Sequence, residues 1–262
     1  MRSRQTLDAY ATCSVSDTMN TKSLQRLTTR LAQAGTLGEL TELCHEIALG
    51  LDFQTFVYAL RVPTHFADAR VISLDGYPPG WVAHYFERAY YEVDPVMAYC
   101  AKHVVPVRWS DLPTEPGSRA EMVMRDAAAH GLREGVTMPV HSPHGELGIF
   151  SLSLDSAPED AREITQRALP WVHVLAGHLQ EAVRRVSELS KEASRQLSPR
   201  EVECLRWAAD GKTSAEIGIL AGMAEGTVNY HLNNAMHKLG VSNRQQAVAK
   251  AALRGLVLPK PF

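Results

Sequence analysis

The spacing of apolar residues changes several times along the chain, and each change marks an element. Phe56–Val62, Val71–Leu74, Val104–Val107, Val136–Val140 and Gly148–Leu154 are short and rich in β-branched and aromatic residues, as strands are. Helical spacing covers Leu24–Leu49, Trp81–Tyr91, Pro95–Lys102, Arg119–His130 and a long segment from about Glu159 to Leu189. Strands grouped between helices, with a hairpin signal at His144-Gly145, predict an α+β fold on a mainly antiparallel sheet. Along the fifth strand Phe150, Leu152 and Leu154 share one face, and Ser151 and Ser153 the other. In the long helix Val172, Leu175, Leu179, Ala182, Val186 and Leu189 form a seam that packs either on its own sheet or on a second copy. Pro170 should kink that segment or start it. A polar, serine-rich stretch over residues 187–196 reads as a linker, and beyond it every pattern is helical.

The C-terminal part divides into four helices. Ser198-Pro199-Arg200-Glu201 has a capping serine, proline at the first helical position and glutamate at the third. That helix closes at Gly211, a second restarts after Thr213 and breaks at Gly222, and a third runs from about Glu225 to Gly240. A fourth spans Arg244–Arg254. Two short helices around a glycine turn and then a longer one form the geometry that lays a helix in the major groove of DNA. Val228, Leu232, Ala235 and Leu239 make the third helix's buried stripe. Thr227, Asn229, Tyr230, Asn233, Asn234, His237 and Lys238 then point outward. Their amides and hydroxyls suit base edges, asparagine pairing with adenine through two bonds. Lys212, Thr213, His231, Lys238 and Arg244 are placed for phosphate or for bracing the fold.

Composition sharpens this picture in two ways. The 262 residues are 45% hydrophobic and 21% charged, which excludes a disordered or fibrous chain. The net charge of -2 conceals an asymmetry. Residues 196–262 hold 8 Lys+Arg against 5 Asp+Glu, a net of +3, while residues 1–195 hold 19 against 24, a net of -5. A basic module on an acidic body fits a polyanion-binding end. No apolar run is long enough to span a membrane and no secretory signal is visible, so no membrane partner is expected. The four scattered cysteines fit a reducing cytoplasm.

Catalytic chemistry finds little support. The chain lacks the paired acids of a phosphoacceptor domain, the H-x-H-x-D-H run of a lactonase, G-x-S-x-G and G-x-G-x-x-G. His141 and His144 read as turn residues rather than metal ligands, so neither an enzyme nor a cofactor is expected. The chemistry lies instead in Gly76-Tyr-Pro-Pro-Gly-Trp81-Val-Ala-His-Tyr85, Asp94-Pro95-Val96, Trp109, Gly135-Val-Thr137 and Ser151. Indole N–H donors, a carboxylate acceptor and hydroxyls among aromatics are the parts of an apolar pocket with polar anchors. Residue by residue, each also fits a plain structural role: Asp94 as a helix cap, the tryptophans as core.

The C-terminal residues Leu197-Ser-Pro-Arg-Glu-Val-Glu-Cys-Leu-Arg-Trp207, Gly211-Lys-Thr, Glu216-Ile217, Thr227-Val228, His231, Asn234, Lys238-Leu239 and Gly255-Leu256 resemble the LuxR-type helix-turn-helix. Ala224 departs from it, because the family usually has a serine or threonine cap there. Tyr77, Trp81, Tyr85, Asp94-Pro95, Trp109 and Gly135 resemble the signature of the acyl-homoserine-lactone-binding domain that precedes this module. Several things follow from the resemblance. The large domain should be an α/β/α sandwich that binds an N-acyl-homoserine lactone. Trp81 would bond the lactone carbonyl, Asp94 the amide N–H, and Tyr77 and Ser151 the acyl carbonyl. Tyr85, Val96, Trp109, Gly135 and Thr137 would shape the cavity. The expected division is a variable segment over 1–20, a ligand-binding domain over 21–186, a linker over 187–196 and an all-α four-helix DNA-binding domain over 197–262. The expected protein is a homodimeric regulator on double-stranded promoter DNA. The alternative is a receptor of the same fold for another apolar molecule.

Overall fold

A computed structural model describes residues 19–65, 68–78, 80–143, 145–187 and 197–258. Helices α1 (Thr21–Gln33) and α2 (Leu37–Gly50) precede strands β1 (Thr55–His65) and β2 (Asp68–Asp75). Then come α3 (Trp81–Glu87), α4 (Pro95–Cys100), β3 (Val107–Arg108) and α5 (Arg119–Ala129). Strands β4 (Glu134–His141) and β5 (Leu147–Leu154) and the long α6 (Pro158–Val186) complete the large domain. The sheet has the order β2-β1-β5-β4-β3, and every pairing in it is antiparallel.

Both faces of the sheet are covered, which makes an α/β/α sandwich. On one face α1, α2 and α6 close a core with Phe56, Tyr58, Leu60, Phe150 and Leu152. On the other, α3, α4 and α5 pack a second, aromatic cluster around Trp81, Tyr90 and Trp109. All eight residues of β5 are consequently buried, so Ser151 and Ser153 face a covered layer.

Four details correct or narrow the sequence pattern. The Leu24–Leu49 segment is two helices, because Asn20 caps α1 and Thr36 restarts the chain as the cap of α2. The Trp81–Tyr91 segment ends at Glu87, where Ala89 turns the backbone left-handed (φ 50°) before a 3-10 turn at Tyr90–Glu92. Val104 and Val105 are exposed loop residues, and only Val107–Arg108 pairs with β4. Pro170 lies inside α6 rather than starting it.

The α6 seam faces inward. Val172, Leu175, Leu179 and Ala182 are buried in the domain's own core and Val186 packs against it, so this seam offers nothing to a second copy. Leu189 and residues 188–196 of the expected linker lie outside the described residues, as do residues 1–18 and His144.

The C-terminal domain has helices α7 (Pro199–Ala209), α8 (Ser214–Ala221), α9 (Glu225–Leu239) and α10 (Arg244–Leu253). Ser198 with Glu201, and Thr213 with Glu216, form reciprocal capping boxes on α7 and α8. Cys204, Leu205, Ile217, Val228, Leu232 and Ala235 build its core. Ala247 and Ala251 of α10 are fully buried in that core, whereas Ala252 faces outward.

At the start of α9 Ala224 makes no side-chain cap bond. Ala224→Ser should supply it and stabilise the helix by about 1 kcal/mol, read as slower amide exchange at Gly226 and Thr227. Unchanged exchange would contradict the capping argument.

Candidate functional site

The register of the two central strands places Thr137 directly opposite Ser151. Both side chains face the aromatic layer, where a buried hydroxyl needs a partner. The Thr137 and Ser151 hydroxyl oxygens lie 2.7 Å apart. Trp109 Nε1 donates to Thr137 Oγ1 at 2.8 Å. Gly135 makes room for that indole: a Cβ there would stand 2.6 Å from the Leu152 carbonyl oxygen and 2.8 Å from the Trp109 ring. The Tyr77 hydroxyl reaches the same line of polar groups beside Ser151 and Ser153. Burial pushes its pKa well above the usual range, and the two serine hydroxyls offset only part of that. Ser153 in turn shares a 2.6 Å hydrogen bond with Thr55.

The opposite wall is built on α3 and α4. Asp94 caps α4, its Oδ1 accepting from the Val96 amide at 2.8 Å. Its Oδ2 accepts from the Tyr85 hydroxyl at 2.8 Å. Burial raises the Asp94 pKa, and the bonds from Tyr85 and the backbone oppose the rise. The cap role is therefore real, and it also fixes the carboxylate at the edge of the cluster. Trp81 packs its ring on Tyr85, 5.8 Å away between centroids, with Tyr77 and Val96 in the same cluster. All nine residues expected at the ligand site thus lie in one layer between β4–β5 and α3–α4.

Sequence reasoning missed the group behind Trp81. Asp126 on α5 accepts from the Tyr90 hydroxyl and lies 3.3 Å from His84 Nε2. His130 packs against Trp81 with its ring tilted by 53°, the centroids 5.2 Å apart. This group latches α3 to α5, and no spacing rule links positions so far apart in the chain. Cys100 is fully buried in the same cluster, and burial pushes its thiol up to about 12, which keeps it unreactive at neutral pH. His141 Nε2 lies 3.0 Å from the carbonyl oxygens of Cys100 and His103, a backbone brace.

On the C-terminal domain, Thr227, Asn229, Tyr230 and Asn233 are exposed along α9, while His231 and Asn234 are half-buried. Asn229 is already held: its Oδ1 accepts from Ser214 Oγ of α8 at 2.7 Å. Two residues expected at DNA are committed to the fold. Lys238 pairs with the buried Glu201 at 2.8 Å, and Arg244 donates to the Lys212 carbonyl across the α7–α8 turn. The Thr213 hydroxyl is spent on the α8 capping box.

An aromatic layer with fixed donors and acceptors, ahead of a helix-turn-helix, defines a ligand-sensing DNA-binding regulator. Residues 36–183 match the autoinducer binding domain, and residues 195–251 match the bacterial regulatory proteins of the luxR family. The transcriptional activator AhyR of Aeromonas hydrophila is 34% identical over 226 residues, 84% of this chain and 86% of AhyR. The regulatory protein SdiA of Escherichia coli K12 is 32% identical over 222 residues, 82% of this chain and 90% of SdiA. A solved structure of SdiA in complex with octanoyl-rac-glycerol superposes with a TM-score of 0.76 at 28% identity, covering 94% of this chain and all of that one. The chain belongs to the LuxR family of transcriptional regulators, with an autoinducer-binding domain ahead of its DNA-binding domain.

Gly135→Ala should force Trp109 off Thr137 or distort β5. The expected result is a lower melting temperature and a loss of affinity for any ligand of this layer, measured together by thermal unfolding with and without ligand. A variant that melts like the parent would contradict the packing described.

Proposed function

We propose that this regulator binds an N-acyl-homoserine lactone in the layer between β4–β5 and α3–α4. We further propose that it binds promoter DNA as a homodimer through α9, in the cytoplasm. The sensing unit is then residues 21–186, with 187–196 as linker and 197–262 as the DNA-binding unit. One observation carries the ligand reading: a half-buried carboxylate, two indoles and a line of hydroxyls converge on one aromatic cluster, in the residue types that suit a lactone, an amide and an acyl carbonyl. Asp94 accepts from the ligand amide N–H, a charge-assisted bond worth roughly 1.5–3 kcal/mol. Trp81 donates to the lactone carbonyl, and Tyr77 and Ser151 serve the acyl carbonyl. Tyr85, Val96 and Trp109 enclose the rest. An eight-carbon tail buried at about 0.8 kcal/mol per methylene contributes on the order of 6 kcal/mol, enough to link ligand to stability by mass action.

A second reading has its own support, since the SdiA neighbour is in complex with octanoyl-rac-glycerol, an acyl compound without a lactone. Mass spectrometry of small molecules co-purifying with protein made in lactone-producing and lactone-free cells separates the two. A lactone bound only in the first is the expected result. An acylglycerol, with no lactone, would favour the second reading.

The dimer reading rests on charge and on a face of α6. One module with a net +3 contacts few phosphates, so two copies on half-sites about one helical turn apart strengthen binding and selectivity. On α6, Pro170 and Val174 lie on the face away from the domain core, Val174 41% exposed, and the partner copy would cover them. A 1:1 monomer on a non-symmetric site would contradict it.

Asp94→Ala should abolish the rise in melting temperature that N-octanoyl-homoserine lactone gives the parent. A full rise would reduce Asp94 to a helix cap. At fixed salt, Asn233→Ala should relax base preference by about 1–3 kcal/mol at one position of each half-site, whereas Lys212→Ala should weaken all sequences alike. Competition binding checks both, and a uniform loss for Asn233→Ala would remove it from base readout.

A further inference from the structure

The Thr137 hydroxyl sits between two partners, and this gives the line of hydrogen bonds a direction. An indole nitrogen only donates, so the 2.8 Å bond runs from Trp109 Nε1 to Thr137 Oγ1. The 2.7 Å contact with Ser151 then has two possible senses. If Ser151 donated, Thr137 would accept twice and its own proton would be left buried beside an indole and a serine that both donate to it. If Thr137 donates, the indole and the Thr137 hydroxyl are both satisfied, and the Ser151 proton has the Tyr77 hydroxyl beside it. Thr137 is 0% exposed, so bulk solvent does not reach a stray proton there. The second sense is the one that leaves nothing unpaired.

Ser151 Oγ therefore accepts from Thr137, and its proton turns away from β4 toward the aromatic layer and Tyr77. Resting on the lactone reading above, we propose that Trp109 and Thr137 are positioning residues that fix Ser151 as a hydrogen-bond donor aimed at the ligand's acyl carbonyl. Neither residue needs to touch the ligand for this. Ser151 is 3% exposed and paired across the sheet, so its hydroxyl is oriented before the ligand arrives and needs little reordering on binding. The arrangement also sets a preference, since a proton held in this direction meets an acceptor oxygen and turns away a donor group. Thr137 thus ranks as an orienting residue rather than an anchor.

The test is a double-mutant cycle on the full-length chain, with the dissociation constant of N-octanoyl-homoserine lactone read by equilibrium dialysis. Thr137→Val keeps shape and removes the hydroxyl. It should weaken binding about 10-fold when Ser151 is present, and less than about 2-fold in the Ser151→Ala background. Thr137→Ser should recover most of what Thr137→Val loses. Trp109→Phe should weaken binding in the same sense without adding to Thr137→Val, and it takes the place of Thr137→Val should that variant fail to fold. Equal losses with and without Ser151 would show a purely structural role and overturn the relay, leaving the lactone reading intact. Absence of binding by the parent chain would overturn the lactone reading and the relay with it.

Discussion

The structure depends most on the sheet being covered on both faces. An antiparallel strand with one wet face carries polar side chains there without cost, but β5 has no wet face. Its alternation therefore sorts two interiors. Phe150, Leu152 and Leu154 join the core under α1, α2 and α6, while Ser151 and Ser153 turn into the aromatic layer. Hydroxyls in such a place must find partners or destabilise the fold. They find them across the sheet, in Thr137 and Thr55. The polar line at the floor of this layer is thus a consequence of topology, and the proposed ligand would use bonds the fold already requires.

The opposite wall follows the same economy. Asp94 starts α4 and holds Tyr85 with its second oxygen, so one carboxylate sets the helix register and the position of an aromatic wall. Gly135 lacks a side chain because Trp109 occupies the space one would need. Behind Trp81, the Asp126 group ties α3 to α5. Ligand binding in this layer would bear on elements from three stretches of chain, a physical route by which a small molecule can change the stability of the whole domain.

Much of this was legible in the sequence because it is local. Capping boxes at Ser198 and Thr213, the α9 stripe and the alternation of β5 each follow from a few neighbouring residues. What was not legible depends on distant partners. The α6 seam has the spacing of a dimer helix, yet its own sheet, α1 and α2 take it up. The sequence left Lys238 between phosphate and a brace, and its bracing partner Glu201 lies far upstream. His84, Tyr90, Asp126 and His130 carry no motif and meet only after folding. The break between α1 and α2 was a local signal hidden by strong helical composition on both sides of Gly35-Thr36.

The central claim is the location of the ligand, and hydrogen–deuterium exchange of the full-length chain with and without N-octanoyl-homoserine lactone tests it most directly. The account predicts slowed exchange in α3, in α4 and around Gly135–Thr137 and Ser151, with α1 and α2 little changed. Protection confined to the α1, α2 and α6 side of the sheet, or none in α3 and α4, would contradict it.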